Sequence, residues 1–286
     1  MPRGADWRHR LRRRAPLVAL LPFVLVIVLL FALPTLRVLS KSVLEPTPGL
    51  ANFAAVFANP LYQQVFWTTF RVSAMVTIIS IVLAYPVARF ATECAPLTRN
   101  VVFAIVLVPF WTSLLVRIYG WTFILQRTGI INETLQALGL TSAPIKLMYT
   151  EGAVVLGITH YMLPFMIFSI YVALKAIDPN LRKAAMTMGA RAPRVFLKVT
   201  LPLALPGIVT GSLLVFIGSL GFFVTPALMG SPRQMMLANV ITFQVQEALD
   251  WPKASAIATV LIIAVSILAW LYFRLVDRAP RLAEAR

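Results

Sequence analysis

Six long apolar runs constrain this chain more than any other feature: residues 17–39, 65–90, 101–119, 152–174, 203–225 and 254–273. At about 1.5 Å per residue, a run of this length crosses a ~30 Å hydrocarbon layer as a helix. The expected fold class is therefore an all-α integral membrane protein with about six transmembrane helices. Composition agrees, since hydrophobic residues make up 59% of the chain and charged ones 13%, against about 45–50% and about 25% in a soluble domain.

The first run follows Arg3, Arg8, Arg10, Arg12, Arg13 and Arg14. It exceeds the apolar region of about 7–15 residues in a cleavable signal peptide and ends in no small-residue cleavage site, so it reads as a retained signal anchor. The net charge of +16 would suggest a nucleic-acid partner in a soluble chain. In a membrane protein it is read by position, because Lys and Arg concentrate in cytoplasmic loops. With the N-terminus inside, 6 fall in the basic tail 1–16, 2 after the second run, 6 in the loop after the fourth and 4 near the C-terminus, which is 18 of the 26. Both termini are expected in the cytoplasm, flanking a membrane domain at 17–275, with a C-terminal tail at 276–286. Membrane lipid is an expected partner and nucleic acid is not.

The connections divide into two kinds. Residues 40–64 read as an outer loop with one short surface helix near Phe53–Phe57, and 226–252 as a second outer loop. Asn132 is expected to cap a short helix that Gly139 ends. Cys94 stands alone, which excludes an internal disulfide, and it has no neighbouring His or acid at metal-ligand spacing.

Residues 175–208 are the longest polar interruption, yet they are written as two helices. Asp178 can cap, Pro179 suits the first helical position, and Gly189 suits the left-handed residue after the last turn. Leu181, Ala184, Ala185 and Met188 share one small apolar face, while Arg182 and Lys183 leave it on the other side. Pro193 can open a second helix with Val195, Phe196 and Val199, and Pro202 and Pro206 mark the return to the membrane.

In these residues the chain resembles the inner-membrane permeases of binding-protein-dependent ABC importers, whose cytoplasmic loop reads EAA, three residues, G, then a distal LP and PG. The match falls on Ala184, Ala185, Gly189, Phe196, Leu201, Pro202, Pro206 and Gly207, with Ala190 in the same segment; Lys183 stands where the family has glutamate. A closer likeness to the permeases of spermidine/putrescine importers rests on PFWTSLLVRIYGW at 109–121, GIIN at 129–132 and DWP at 250–252. The resemblance implies an ABC ATPase dimer docked on the loop, carrying ATP and Mg while this chain binds no cofactor. It also implies a second, paralogous permease, a periplasmic or lipid-anchored solute-binding protein, a bacterial inner-membrane location and a polyamine as solute.

The path candidates are Trp111, Tyr119, Trp121, His160 and Tyr161. Without acids in the runs, a cationic solute would need aromatic faces and hydroxyls. Each has a plainer reading: Trp and Tyr anchor at membrane interfaces, and a lone intramembrane histidine commonly hydrogen-bonds a neighbouring helix. No phosphate-binding loop, HExxH or nucleophile elbow is present, so no enzymatic step is assigned. An ABC permease for another small solute, such as an amino-acid derivative or an anion, is the alternative. An ion-coupled secondary transporter is the rival of another class; intramembrane carboxylates and inverted repeats would favour it, and neither is evident.

Overall fold

A computed structural model describes residues 22–284, with side chains described through Arg274. The basic tail 1–16 and positions 17–21 of the first apolar run lie outside the described residues.

Helix α1 (Pro22–Leu44) is the outermost span and packs on α12 (Trp251–Glu284). Its wide turn Val28–Ala32 closes with Leu33 N–H on Val28 O, one residue before Pro34. Proline cannot donate, and its ring crowds the carbonyl four residues back; a widened turn upstream absorbs both defects. The same device recurs in α9 (Ala192–Leu220), where Phe196–Thr200 precedes Leu201-Pro202.

A short helix α2 (Ala51–Ala58) covers the expected surface segment, tied back by Asn52 Nδ2 to Ser42 O and Glu45 O. Helix α3 (Pro60–Glu93) starts at Asn59, whose side chain accepts from Leu61 N–H at 2.9 Å. Its 34 residues overshoot the apolar run at both ends.

The run expected at 101–119 is not one continuous helix. Helix α4 (Pro96–Trp111) stops, and the chain resumes as α5 (Leu114–Leu125) and α6 (Ile130–Ala137) after a bend of 99°. Thr112 and Ser113 are extended here. The orphaned carbonyls are met by side chains: Thr112 Oγ1 donates to Pro109 O at 2.6 Å, and the Arg117 guanidinium donates to Pro109 O and to Thr112 O. Asn132 does not cap α6. It lies fully buried inside the helix, donates to Gln126 O and Ile145 O, and accepts from Ile145 N–H, so it staples the loop beyond. Gly139, at φ +67°, does end the segment, with Leu140 N–H on Leu135 O.

Helix α7 (Glu151–Ala176) is the centre of the bundle, packed by α3 on one side and α9 on the other. Val72, Val76, Ala84 and Ala88 of α3 meet Ile158, Met162, Met166 and Ile170 of α7, with Ala204, Ile208 and Val215 of α9 closing the core. A Cβ on Gly207 would sit 2.2 Å from Ala173 Cβ and 2.7 Å from Ser169 O, so the GxxxG pair of α9 is where two backbones touch.

The span expected at 203–225 ends at Leu220, and the outer loop expected at 226–252 is itself mostly helical. It contains α10 (Val224–Met229) and α11 (Leu237–Gln246), the latter seated on α12 and α3. Met229, Met236 and Leu237 are fully buried, so this segment carries its own core. Leu237 N–H donates to Thr69 Oγ1 and Gln244 Nε2 to Tyr62 OH, both at 2.9 Å. Asp250 accepts from Lys253 N–H at the start of α12. Burial pushes its carboxyl up, but the hydrogen bonds from Lys253 outweigh that and hold it below the usual carboxylate value. The residues expected as a tail continue α12 as far as Glu284. Among the described residues, five helices are long and apolar enough to cross a membrane, and six if the bent segment from α4 to α6 is one broken span.

Candidate coupling surface and translocation path

The loop after α7 folds as its capping residues require. Helix α8 (Pro179–Thr187) begins with Asp178 Oδ1 accepting from Asn180 N–H at 2.9 Å. It ends at Gly189, φ +80°, with Ala190 N–H on Ala185 O at 3.1 Å. Nothing lies within 4 Å of a Cβ built on Gly189, so the left-handed backbone, not crowding, demands glycine. The chain then enters α9 without a break. Pro202 and Pro206 lie within that helix and do not interrupt it.

The loop residues divide into two groups. Leu181, Lys183, Ala184, Met188 and Gly189 face outward, Met188 at 88% exposure. Ala185, Ala190 and Phe196 are half-buried, and Gly207 is buried against α7. Phe196 meets Tyr85 of α3 edge to face at 5.5 Å, so it fixes the loop to the bundle. Arg182 does leave the apolar face, and its Nη1 donates to Glu93 Oε1 at 2.6 Å. Lys183 makes no ion pair among the described residues. An exposed apolar strip on a short capped helix, rimmed by cations, suits a complementary groove on another protein.

The five path candidates do not form one cluster. Trp121 Nε1–H donates to His160 Nδ1 at 3.0 Å, joining α5 to α7. Tyr161, the next residue of α7, sits among Phe110, Phe165 and Phe222 with ring centroids 5.2–6.5 Å away. Arg117 Cζ stands 5.3 Å from the same ring, within cation–π range. Trp111 is 83% exposed and touches Phe110 edge to face, and Tyr119 is exposed on α5. Glu151, at the start of α7, is paired with Arg71. Arg117 on Tyr161, Asn132 as a staple and Glu93 under Arg182 all join residues distant in sequence. No spacing rule reveals them. Among the described residues no three His, Cys, Asp or Glu side chains could hold a metal ion.

Comparison with known proteins agrees with this arrangement. The family profile described as "Binding-protein-dependent transport system inner membrane component" matches residues 7–282. The chain is 37% identical over 225 residues to the spermidine/putrescine transport system permease protein PotB of Haemophilus influenzae, covering 79% of this chain and 78% of that one. Similarity to PotB of Escherichia coli K12 is 32% over 256 residues, covering 87% and 93%. The molybdenum transport system permease protein ModB of Mycobacterium bovis is 27% identical over 217 residues, covering 76% and 80%. The fold matches a chain of the bacterial alginate ABC transporter, in complex with its alginate pentasaccharide-bound periplasmic protein, at TM-score 0.79 and 17% identity, covering 96% and 98%. With a bundle centred on α7, a capped helix α8 in the loop between α7 and α9, and a profile matched over nearly its whole length, the chain belongs to the family of binding-protein-dependent transport system inner membrane components and is the permease subunit of an ABC importer.

Proposed function

We propose that this permease pairs with a paralogous permease to form the path for a polyamine, driven by ATP and Mg bound to a docked ATPase dimer and fed by a periplasmic or lipid-anchored binding protein. The observation that carries the coupling half is the exposed strip Leu181, Ala184 and Met188 on α8. ATP-driven closure of the ATPases would displace α8 and rock the bundle as a rigid body. Both chain termini then lie in the cytoplasm, on the same side as α8.

Support for a polyamine comes from the similarity to PotB. Trp111 and Tyr119 keep open ring faces for an ammonium group, whereas the face of Tyr161 is already met by Arg117. That guanidinium, and the likeness to ModB, favour a second reading, an oxyanion as solute. Mass spectrometry of the purified complex identifies subunits and bound solute together: ATPases with a polyamine support the proposal, and an oxyanion overturns its solute half. For the docking half, Lys183→Cys should crosslink to single-cysteine ATPase variants. Its failure to do so while flanking loop positions crosslink would mean that position 183 points away from the groove.

A further inference from the structure

One carboxylate at the end of α3 is gripped from two helices. Arg182 Nη1 of α8 lies 2.6 Å from Glu93 Oε1, and Arg89 Nη2, one turn back on α3, lies 3.3 Å from the same oxygen. Among the described residues this is the only ion pair that joins α8 to a membrane helix. Two other polar side chains of this segment are engaged locally: Asp178 caps Asn180 N–H, and Thr187 Oγ1 donates to Lys183 O.

Covalently, α8 hangs between α7 and α9, through Ile177–Asp178 and through the Gly189 turn. A displacement of α8 therefore reaches those two helices through the backbone. The third member of the core, α3, packs on both of them, yet its cytoplasmic end has no backbone link to α8. The Arg182 and Glu93 side chains are 37% and 46% exposed. Exposed ion pairs contribute little to folding, so stability gives no account of a carboxylate held by two guanidiniums.

We propose that Glu93 is a positioning residue for energy coupling: held by Arg182 and oriented by Arg89, it makes the end of α3 follow α8. All three core helices then move together when α8 is pushed. The inference rests on the reading of α8 as the ATPase-docking helix.

The single cysteine of the chain, Cys94, adjoins Glu93 and offers a reporter that does not depend on which solute is carried. The full importer, with cysteines removed from its other subunits, is labelled at Cys94 with an environment-sensitive fluorophore. The signal change is measured on adding ATP and Mg. The wild-type chain should give an ATP-dependent change; Glu93→Gln and Arg182→Gln should each reduce it about two- to fivefold, in line with the modest strength of an exposed pair. Glu93→Arg combined with Arg182→Glu should restore most of it, and Glu93→Gln, which leaves α8 untouched, should alter neither ATPase co-purification nor thermal midpoint. A wild-type response in Glu93→Gln, or a charge swap that restores nothing, overturns the joint alone. Failure of the wild-type chain to retain an ATPase overturns the docking reading and the joint with it.

Discussion

Trp121 and His160 are joined by a hydrogen bond of 3.0 Å across 39 positions of sequence, with the indole Nε1–H as donor and Nδ1 of the imidazole as acceptor. The bond fixes the neutral tautomer with the proton on Nε2, and it links the broken segment α5 to the central helix α7. Interhelical hydrogen bonds in membranes average about 0.6 kcal/mol and reach about 1.7. A double-mutant cycle of Trp121→Phe and His160→Leu should therefore give a coupling energy of about 0.5–1.5 kcal/mol in thermal unfolding of the purified permease. Additive single effects would show that the two side chains are neighbours without a bond.

Gly207 is the closest approach of α9 to α7. Alanine there would drive a Cβ to 2.2 Å from Ala173 Cβ, whereas a Cβ on Gly221 meets nothing nearer than 4.0 Å. Gly207→Ala should cost about 1–3 kcal/mol by overpacking, and Gly221→Ala should be nearly silent. Equal thermal midpoints for the two variants would contradict the contact.

Gly189 separates folding from coupling. Its φ of +80° strains any L-residue by about 1–2 kcal/mol, while the space around it is open. Gly189→Asp should reach the membrane at the wild-type level and lose ATP-driven uptake. Uptake at the wild-type rate, with equal protein in the membrane, would remove the loop from the coupling step.

Much of this was legible because it is local. Asp178, Pro179 and Gly189 specify α8 by capping chemistry within a dozen residues, and the apolar runs give the spans by length alone. The bend after Trp111 does not show in the sequence because 101–119 is apolar but for Thr112, Ser113 and Arg117 towards its end, and Pro109 lies where a membrane helix usually tolerates proline. The end of the helix shows in the fold, where Thr112 is extended and Arg117 reaches back to the carbonyls of Pro109 and Thr112. Likewise, 226–252 reads as a loop from its prolines, and its burial comes from contacts such as Leu237 with Thr69, 168 positions away. Glu93 looks like an ordinary helix-end acid until the fold brings Arg182 to it.

Trp111 tests the nature of the path. Its ring is open at the corner of α4 and α5, and a desolvated cation–π contact contributes roughly 0.5–2 kcal/mol, up to about thirtyfold in an equilibrium constant. Spermidine uptake at equal expression should fall in the order Trp111, Trp111→Phe, Trp111→Leu, because leucine keeps bulk without a π face. Equal transport by the Phe and Leu variants would make Trp111 an interface anchor.

The most direct measurement is uptake of labelled spermidine into proteoliposomes holding the complete importer, with ATP and Mg supplied on the ATPase side and no ion gradient. The proposal predicts accumulation that requires ATP and the binding protein and is competed by putrescine. Uptake by the permease alone under an ion gradient, or ATP-driven import of an oxyanion but not of spermidine, would contradict it.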